Sequence, residues 1–425
     1  YACPNIRGEA YTIYTNTPVG GAMRGYGIPQ VCFAIESFMD DVANEIHMDP
    51  LEFRRKNLIQ GYYEDAYLKP IAANTNGIFE CLEKGAEYIH WDEKRKEYAE
   101  QAGDVRKGVG MALFSYKTGV WPISLEIAGA RLSLNQDGSV QLMLGATEIG
   151  QGADTVFSQM VAETLHTDME HVHIKTVQDT DVSPFDTGAY ASRQSFVTGT
   201  AVRHCAEILR DKILAYAKTL LPEIDTRELT LKDNWIWAGD EQAISLAALA
   251  EESYYSLTNS SVLTAEVSEQ VKKNTIATGC CFAEVEVDIK LGKIKILHII
   301  NVHDSGKLLN PQLAEMQVHG GMSMGMGYGI SEQLILDEKT GRPLNGNLLD
   351  YKLMTMLDTP DIKADFVELC DPMGPYGNKA LGEPPAIPCA PAIRNAVLHA
   401  TGVAFYENPL TPQRLIDGFK KAGLI

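Results

Sequence analysis

The stretch Val140-Gln141-Leu142-Met143-Leu144-Gly145-Ala146-Thr147-Glu148-Ile149-Gly150-Gln151-Gly152 leads into an apolar pattern formed by Val156, Met160, Val161 and Leu165. The change from alternating to helical spacing predicts a strand, a glycine turn and a helix. Such a turn can present backbone N–H groups at the helix N-terminus to an anionic ligand. The full dinucleotide-binding fingerprint is missing, so an ordinary α/β turn is the competing interpretation.

The same design recurs later in the chain. Ala283–Ile289 and Lys293–Val302 are predicted strands of a hairpin, and a helix is predicted over Gln312–Ile330. The first stretch also has a hairpin partner, because Leu125–Asn135 precedes it across the turn Gln136-Asp137-Gly138. We therefore predict an α+β fold with two related α/β units that contain mixed sheets and packed helices.

The helix predicted over Gln312–Ile330 is rich in glycine and methionine. Gly321, Gly325 and Gly329 fall four residues apart on one face, where another element could pack closely. Gly321-Met322-Ser323-Met324-Gly325 also fits the nucleophile elbow of serine hydrolases, which needs a strand before the serine. The preceding residues have a helical pattern, and a hydrolase is therefore disfavoured.

A glycine-rich loop, Gly20–Gln30, follows a strand predicted at Thr12–Thr17. Its glycines surround Arg24 and allow the backbone to approach a ligand closely. The helix predicted after the loop has one apolar face, which consists of Val31, Ile35, Phe38, Val42 and Ile46.

A single carboxylate stands in the turn Ala380-Leu381-Gly382-Glu383-Pro384-Pro385, ahead of a helix predicted near Pro391–Gly402. Pro384 disfavours the α region for Glu383, which predicts a stiff, extended backbone, and Gly382 predicts open space beside it. A carboxylate mounted in this way is a candidate general base. A solvated turn residue is the alternative.

A second polar turn, Ala189–Ser195, precedes a long helix predicted to run to about Leu220. Ser192, Gln194 and Ser195 would add side-chain donors to the helix N-terminus, so this is a second candidate anion site. An ordinary capped helix is again the alternative.

Composition narrows the class of protein. A chain of 425 residues with 45% apolar and 22% charged residues has the composition of a globular protein with two or three packed units. The net charge of −19 argues against nucleic acid and anionic membranes as partners.

The eight cysteines include no C-x-x-C pair, which favours a reduced, cytoplasmic setting without a zinc ribbon or iron–sulfur cluster in this chain. No apolar run reaches the length of a membrane span. Because Tyr1-Ala2-Cys3-Pro4 has the character of mid-chain sequence, we expect a processed or truncated chain, or one piece of a larger assembly.

Five motifs occur in an order that resembles the C-terminal half of the molybdenum-binding subunit in the xanthine dehydrogenase family of molybdenum hydroxylases. The similarity extends from about Asn5 to Ala400, and the motifs are Ala22–Gln30, Glu148–Gly152, Tyr190–Arg193, Gln317–Gly320 and Gly382–Pro385. It implies a molybdopterin-binding fold of the aldehyde oxidase and xanthine dehydrogenase type. The predicted division is a loop-and-helix segment closing the molybdenum pocket at 1–105, a first α/β unit at 106–275, and a second unit with Glu383 at 276–425.

The resemblance implies a role for individual residues. Glu383 matches the catalytic glutamate, and Tyr26 matches an aromatic residue that stacks on the substrate ring. Arg24 is implied to approach both the substrate and the molybdenum, and Ala191 to lie beside the metal through its backbone, neither as a side-chain ligand. The implied cofactor-binding residues are Gln151, Gly152, Ala191, Ser192, Arg193, Gln194, Ser195 and Gln317.

The implied cofactor is molybdenum–molybdopterin, with a cytosine dinucleotide as one form of its extension. Iron–sulfur clusters and FAD are implied on partner chains. The implied partners are the N-terminal half of the molybdenum subunit or a missing portion of this chain, iron–sulfur and flavin subunits, and a small-molecule substrate. Carbon monoxide dehydrogenase, a relative, has a cysteine where this chain has Arg24-Gly25-Tyr26, which argues against that activity.

The predicted function is hydroxylation of an electron-poor carbon in an N-heteroaromatic compound, a purine such as xanthine being favoured, with water as the oxygen source. The chain would be active only with its partners. An aldehyde oxidoreductase subunit is the first alternative. The second, from another class, is a non-catalytic cofactor-binding or scaffold subunit.

Overall fold

Two four-stranded mixed sheets, each built around a hairpin, form the framework of the protein. The computed structural model describes residues 1–60, 63–64, 70–71, 75–175 and 177–425. The helices are α1 (Ile28–Glu45), α2 (Pro50–Asn57), α3 (Ile78–Ile89), α4 (Trp91–Glu97), α5 (Ala153–Leu165), α6 (Gln194–Leu220), α7 (Leu246–Tyr255), α8 (Pro311–Ile330), α9 (Cys389–Thr401) and α10 (Pro412–Lys421). The strands are β1 (Tyr63–Glu64), β2 (Pro70–Ile71), β3 (Val105–Lys117), β4 (Ile127–Leu134), β5 (Val140–Leu144), β6 (Val172–Ile174), β7 (Leu229–Lys232), β8 (Trp235–Ala238), β9 (Glu241–Ser245), β10 (Thr264–Gln270), β11 (Ile276–Asp288), β12 (Lys293–Asp304) and β13 (Asp361–Phe366).

The first sheet has the strand order β10-β4-β5-β6. Strands β4 and β5 form the predicted hairpin, whose turn contains Gly138 at a φ of 83°. Helix α5 then connects β5 to β6, which pairs parallel to β5. Helices α5 and α6 bury apolar residues of this sheet, Leu132 and Leu142 among them, in one continuous core.

The second sheet, β13-β12-β11-β3, has the same construction. Its hairpin is β11–β12, helix α8 follows, and β13 returns parallel to β12. Helices α8 and α9 cover one face, where Met322 and Ile393 are buried. Helix α3 covers the other face through Leu82. The predicted α+β fold with two related units is therefore confirmed.

In each unit, the strand that precedes the hairpin in the chain joins the sheet of the other unit. Nearly all of β3 falls within the predicted first unit, 106–275, but β3 pairs antiparallel with β11 of the second unit, from Ile276 opposite Lys117 to Asp288 opposite Val105. Strand β10, just before β11 in the chain, joins the first sheet. Residues 108–114 are buried without interruption because helices cover both faces of β3. The division at 105 and 275 remains a prediction.

Three further expectations differ from the structure. Thr12–Thr17 has no strand, and the segment 2–22 is exposed. Ser323 lies inside α8 with no strand directly before it, so the hydrolase elbow is excluded. On α1, the predicted apolar residues Val31, Ile35 and Phe38 are exposed, while the opposite face, with Cys32 and Phe33, is buried.

Within the ranges given above, no helix combines the length and the apolar character needed to cross a membrane.

Candidate active site

A cavity of about 660 Å³ lies between the loops of the two units. Its wall brings together eight of the predicted site residues from widely separated parts of the chain, namely Arg24, Gln151, Ser192, Arg193, Gln194, Ser195, Gln317 and Glu383. A volume of this size is typical of cofactor and small-molecule sites.

The turn that contains Glu383 is stiff, but not in the predicted manner. Glu383 has φ −99° and ψ −35°, a helical rather than an extended backbone. The reason is local: its carbonyl accepts the N–H of Ala386 at 3.2 Å, which starts the 3-10 turn Pro384–Ala386. The space beside Gly382 is also closed, since a Cβ there would lie 3.3 Å from the Oγ of Ser192.

Two hydrogen bonds hold Glu383 in the wall of the cavity. Its backbone N–H donates to the Oγ of Ser192 at 2.8 Å. Its side-chain Oε2 accepts a hydrogen bond from the hydroxyl of Tyr116. Sequence reasoning missed Tyr116, because a single tyrosine at the end of a predicted strand belongs to no motif.

Arg24 connects the glycine-rich loop to the Glu383 turn. Its Nε donates to the carbonyl of Gly382 at 2.6 Å, and its Nη2 donates to the carbonyl of Gln317 at 2.9 Å. Burial lowers the pKa of Arg24, while the nearby charge of Glu383 acts in the opposite direction. The guanidinium therefore fixes three segments of the site relative to one another.

The glycine face of α8 confirms the prediction of a close approach. A Cβ on Gly321 would lie 2.5 Å from the Cβ of Pro385, and a Cβ on Gly325 would lie 2.7 Å from the carbonyl oxygen of Ala386. Helix α8 thus packs directly against the backbone that follows Glu383.

The two predicted anion sites differ. At the start of α5, the carboxylate of Glu148 already accepts the N–H groups of Gly150, Gly152 and Asp154, at 2.7, 3.0 and 3.1 Å. Burial opposes ionisation there, but these hydrogen bonds outweigh it and lower the pKa of Glu148. The first prediction, of N–H groups presented to a ligand, is therefore wrong.

The second site, at the start of α6, has no side-chain cap and borders the cavity. Its turn is strained, since Ala191 and Ser192 have φ of 47° and 50°. The side chain of Gln194 accepts a hydrogen bond from the Nε2 of Gln151 at 2.6 Å, so the two predicted cofactor-binding glutamines form one unit. Ser195 also lines the cavity.

Four predicted site residues make contacts away from the cavity, although one of them, Arg193, also borders it. Arg193 is buried and forms ion pairs with Glu126 at 2.5 Å and Asp186 at 2.7 Å, so its charge is balanced within the protein. The other three are outside the described cavity wall: the carbonyl of Ala191 accepts a hydrogen bond from Gly119, Gly152 packs against Leu313, and the side chain of Tyr26 is 74% exposed.

Ser305 and Asn378, which sequence reasoning missed, show whether the cavity suits a pterin. The Oγ of Ser305 and both side-chain polar atoms of Asn378 are buried and have no hydrogen-bond partner among the described residues. Both residues border the cavity, and a buried polar group without a partner is costly. Amide, hydroxyl and guanidinium groups suit a pterin with many donors and acceptors. In the described part of the chain, no three His, Cys, Asp or Glu side chains form a metal-ligand set.

Sequence comparisons match the chain to molybdopterin cofactor-binding domains and to molybdenum-binding subunits. Residues 84–360 and residues 1–58 each match a molybdopterin cofactor-binding domain. A putative xanthine dehydrogenase molybdenum-binding subunit of Escherichia coli K12 is 49% identical over 97% of this chain and 55% of its own length. A probable hypoxanthine oxidase of the same strain is 31% identical over 99% of this chain and 44% of its own length.

A crystal structure of quinoline 2-oxidoreductase from Pseudomonas putida 86 has the same fold. Its TM-score is 0.86 at 24% identity, and the match covers 94% of this chain and 53% of that one. The chain spans about half the length of these relatives. It belongs to the molybdopterin cofactor-binding family and is similar over nearly its whole length to part of the molybdenum-binding subunits of the xanthine dehydrogenase type.

Proposed function

We propose that this chain supplies the catalytic base and much of the cofactor-binding wall of a molybdenum hydroxylase. The substrate is an N-heteroaromatic compound, a purine such as xanthine, and water is the oxygen source. The single observation that carries the proposal is the position of Glu383, held by Ser192 and Tyr116 in the wall of a cavity of about 660 Å³. The similarity to subunits named for xanthine and hypoxanthine supports the substrate class.

Different residues of the cavity wall would bind different parts of the cofactor. The linked pair Gln151 and Gln194, with Gln317, would hold the pterin, and the uncapped start of α6 would bind its phosphate. Ser305 and Asn378 supply the polar atoms that otherwise have no partner. When bound, the molybdenum cofactor would supply an acidified water and an acceptor for two electrons.

Glu383 then acts as the general base. Its carboxylate accepts the proton of the attacking water-derived oxygen, a step for which a base must lie within hydrogen-bond reach. The guanidinium of Arg24, which donates to the carbonyl of Gly382, limits displacement of the turn that carries this carboxylate. Tyr26 is exposed and lies outside the described cavity wall, so its stacking on a substrate ring remains a prediction.

The exposed face of α1 is the proposed contact with the remaining portion of the molybdenum subunit. Val31, Ile35 and Phe38 are 54%, 44% and 64% exposed and lie at helical spacing on one side. Relatives have nearly as much chain again as this one, which supplies an occupant for such a face. Iron–sulfur and flavin subunits would complete a cytoplasmic assembly.

The test uses the assembled enzyme with the substitution Glu383→Gln. We expect xanthine turnover to fall by at least a thousandfold, with molybdenum content unchanged, because the amide cannot accept the proton. Glu338→Gln, at an exposed position, is the matched control and should keep full activity. Near-normal turnover in Glu383→Gln would remove Glu383 as the base.

A substrate panel of xanthine, hypoxanthine, nicotinate and aldehydes tests the substrate class. Turnover of aldehydes alone would favour the aldehyde oxidoreductase alternative. An assembly that binds the pterin and turns over none of them would favour the scaffold alternative.

A further inference from the structure

Tyr116 touches the proposed base directly. It lies in β3, its ring is 7% exposed, and it packs in a small apolar cluster with Cys32, Phe114 and Ile387. The hydroxyl donates to the Oε2 of Glu383. The ring is thus fixed by the core, while the one polar atom of the side chain meets the carboxylate.

The hydrogen bond distinguishes the two oxygens of Glu383. Oε2 is engaged by Tyr116, whereas Oε1 accepts no hydrogen bond from the described residues. A hydrogen bond to one oxygen also limits the rotation of a carboxylate. Burial, together with the hydrogen bond and charge of Glu383, raises the pKa of Tyr116, so the phenol remains a donor throughout the neutral range.

We propose that Tyr116 is the positioning residue for Glu383: it holds Oε2 and leaves Oε1 as the atom that accepts the proton. This inference rests on the proposed function, because it assigns a role relative to that base. Tyr116 acts through Glu383 and transfers no proton itself.

The first test is Tyr116→Phe in the assembled enzyme, which removes the hydroxyl and keeps the ring in its cluster. Without the donor, the carboxylate of Glu383 is no longer held in place, so kcat should fall about tenfold while KM changes little. Tyr116→His, which retains an N–H donor, should restore part of the lost kcat.

Tyr98→Phe is the matched control. Its hydroxyl donates to another buried carboxylate, Glu284, at 2.8 Å, and neither residue lines the cavity. This variant loses an equivalent hydrogen bond and should leave kcat and KM unchanged. An equal loss of kcat in both variants would overturn the proposal.

A second readout does not require turnover. A water-soluble carbodiimide modifies carboxyl groups that it can reach, and mass spectrometry of the peptide that contains Glu383 measures the rate of this modification at one fixed pH in cofactor-free protein. Because Tyr116→Phe frees Oε2, Glu383 should be modified several-fold faster in that variant than in Tyr98→Phe. An unchanged rate would overturn the inference even if Glu383→Gln abolishes turnover. A faster rate together with an active Glu383→Gln would instead reject the proposed function and keep the contact between Tyr116 and Glu383.

Discussion

The backbone N–H of Glu383 donates to the Oγ of Ser192 at 2.8 Å, across 191 positions of the chain. Ser192 belongs to the turn that starts α6, and Glu383 to the turn packed against α8. One hydrogen bond therefore ties the proposed cofactor loop of one unit to the proposed base of the other.

Replacing Ser192 with alanine should separate these two loops. The N–H of Glu383 would lose its acceptor, at a cost of about 1–3 kcal/mol. We expect turnover to fall about tenfold to a hundredfold, because small displacements of a catalytic group are expensive. Steady-state kinetics and molybdenum analysis of Ser192→Ala measure this, with Ser331→Ala as a control outside the cavity wall. Unchanged kinetics in Ser192→Ala would show that this bond does not position the base.

The glycine face of α8 predicts a graded response. Alanine favours a helix interior over glycine by about 1 kcal/mol. At Gly329, a Cβ would lie 3.2 Å from Ala390, so Gly329→Ala should be close to neutral in the free energy of unfolding. At Gly325 it would lie 2.7 Å from the carbonyl oxygen of Ala386, so Gly325→Ala should destabilise by about 1–3 kcal/mol and lower turnover. Denaturant unfolding of both variants checks the order, and equal effects would contradict it.

Glu148 predicts a pH-dependent contribution to stability. Its pKa is lowered in the folded protein, so its contribution is present above the ordinary glutamate pKa of about 4.3 and is lost as pH falls through the lowered value. Glu148→Gln should cost about 1 kcal/mol at pH 7, because it weakens the cap of α5. The Tm difference from the unmodified protein should shrink on acidification. Glu163→Gln, at an exposed position in α5, should show no such pH dependence.

The exposed face of α1 predicts an effect on association rather than on folding. Phe38→Asp places a charge on a side chain that is 64% exposed, so the free energy of unfolding of this chain should change by less than about 0.5 kcal/mol. Affinity for the remaining portion of the molybdenum subunit should fall at least tenfold, measured by calorimetry. Leu257→Asp, at a fully exposed position in another region, is the control. Equal affinity in Phe38→Asp would place the partner elsewhere.

The sequence by itself determined the local elements. Hairpin turns, the glycine face of α8 and the helix starts depend on neighbouring residues, and each was predictable from spacing. The motifs also indicated the family, because loops that hold one cofactor preserve their order along the chain.

Only the tertiary structure decided which strand joins which sheet, that Glu148 occupies the first N-terminus, and that Tyr116 and Ser192 hold Glu383. The pairing of β3 with the second sheet leaves no local pattern, because a strand buried on both faces suits either sheet. The helical backbone of Glu383 was also decided by the tertiary structure. Pro384 locally favours an extended residue before it, but the buried turn against α8 and the hydrogen bond from Ala386 outweigh that preference.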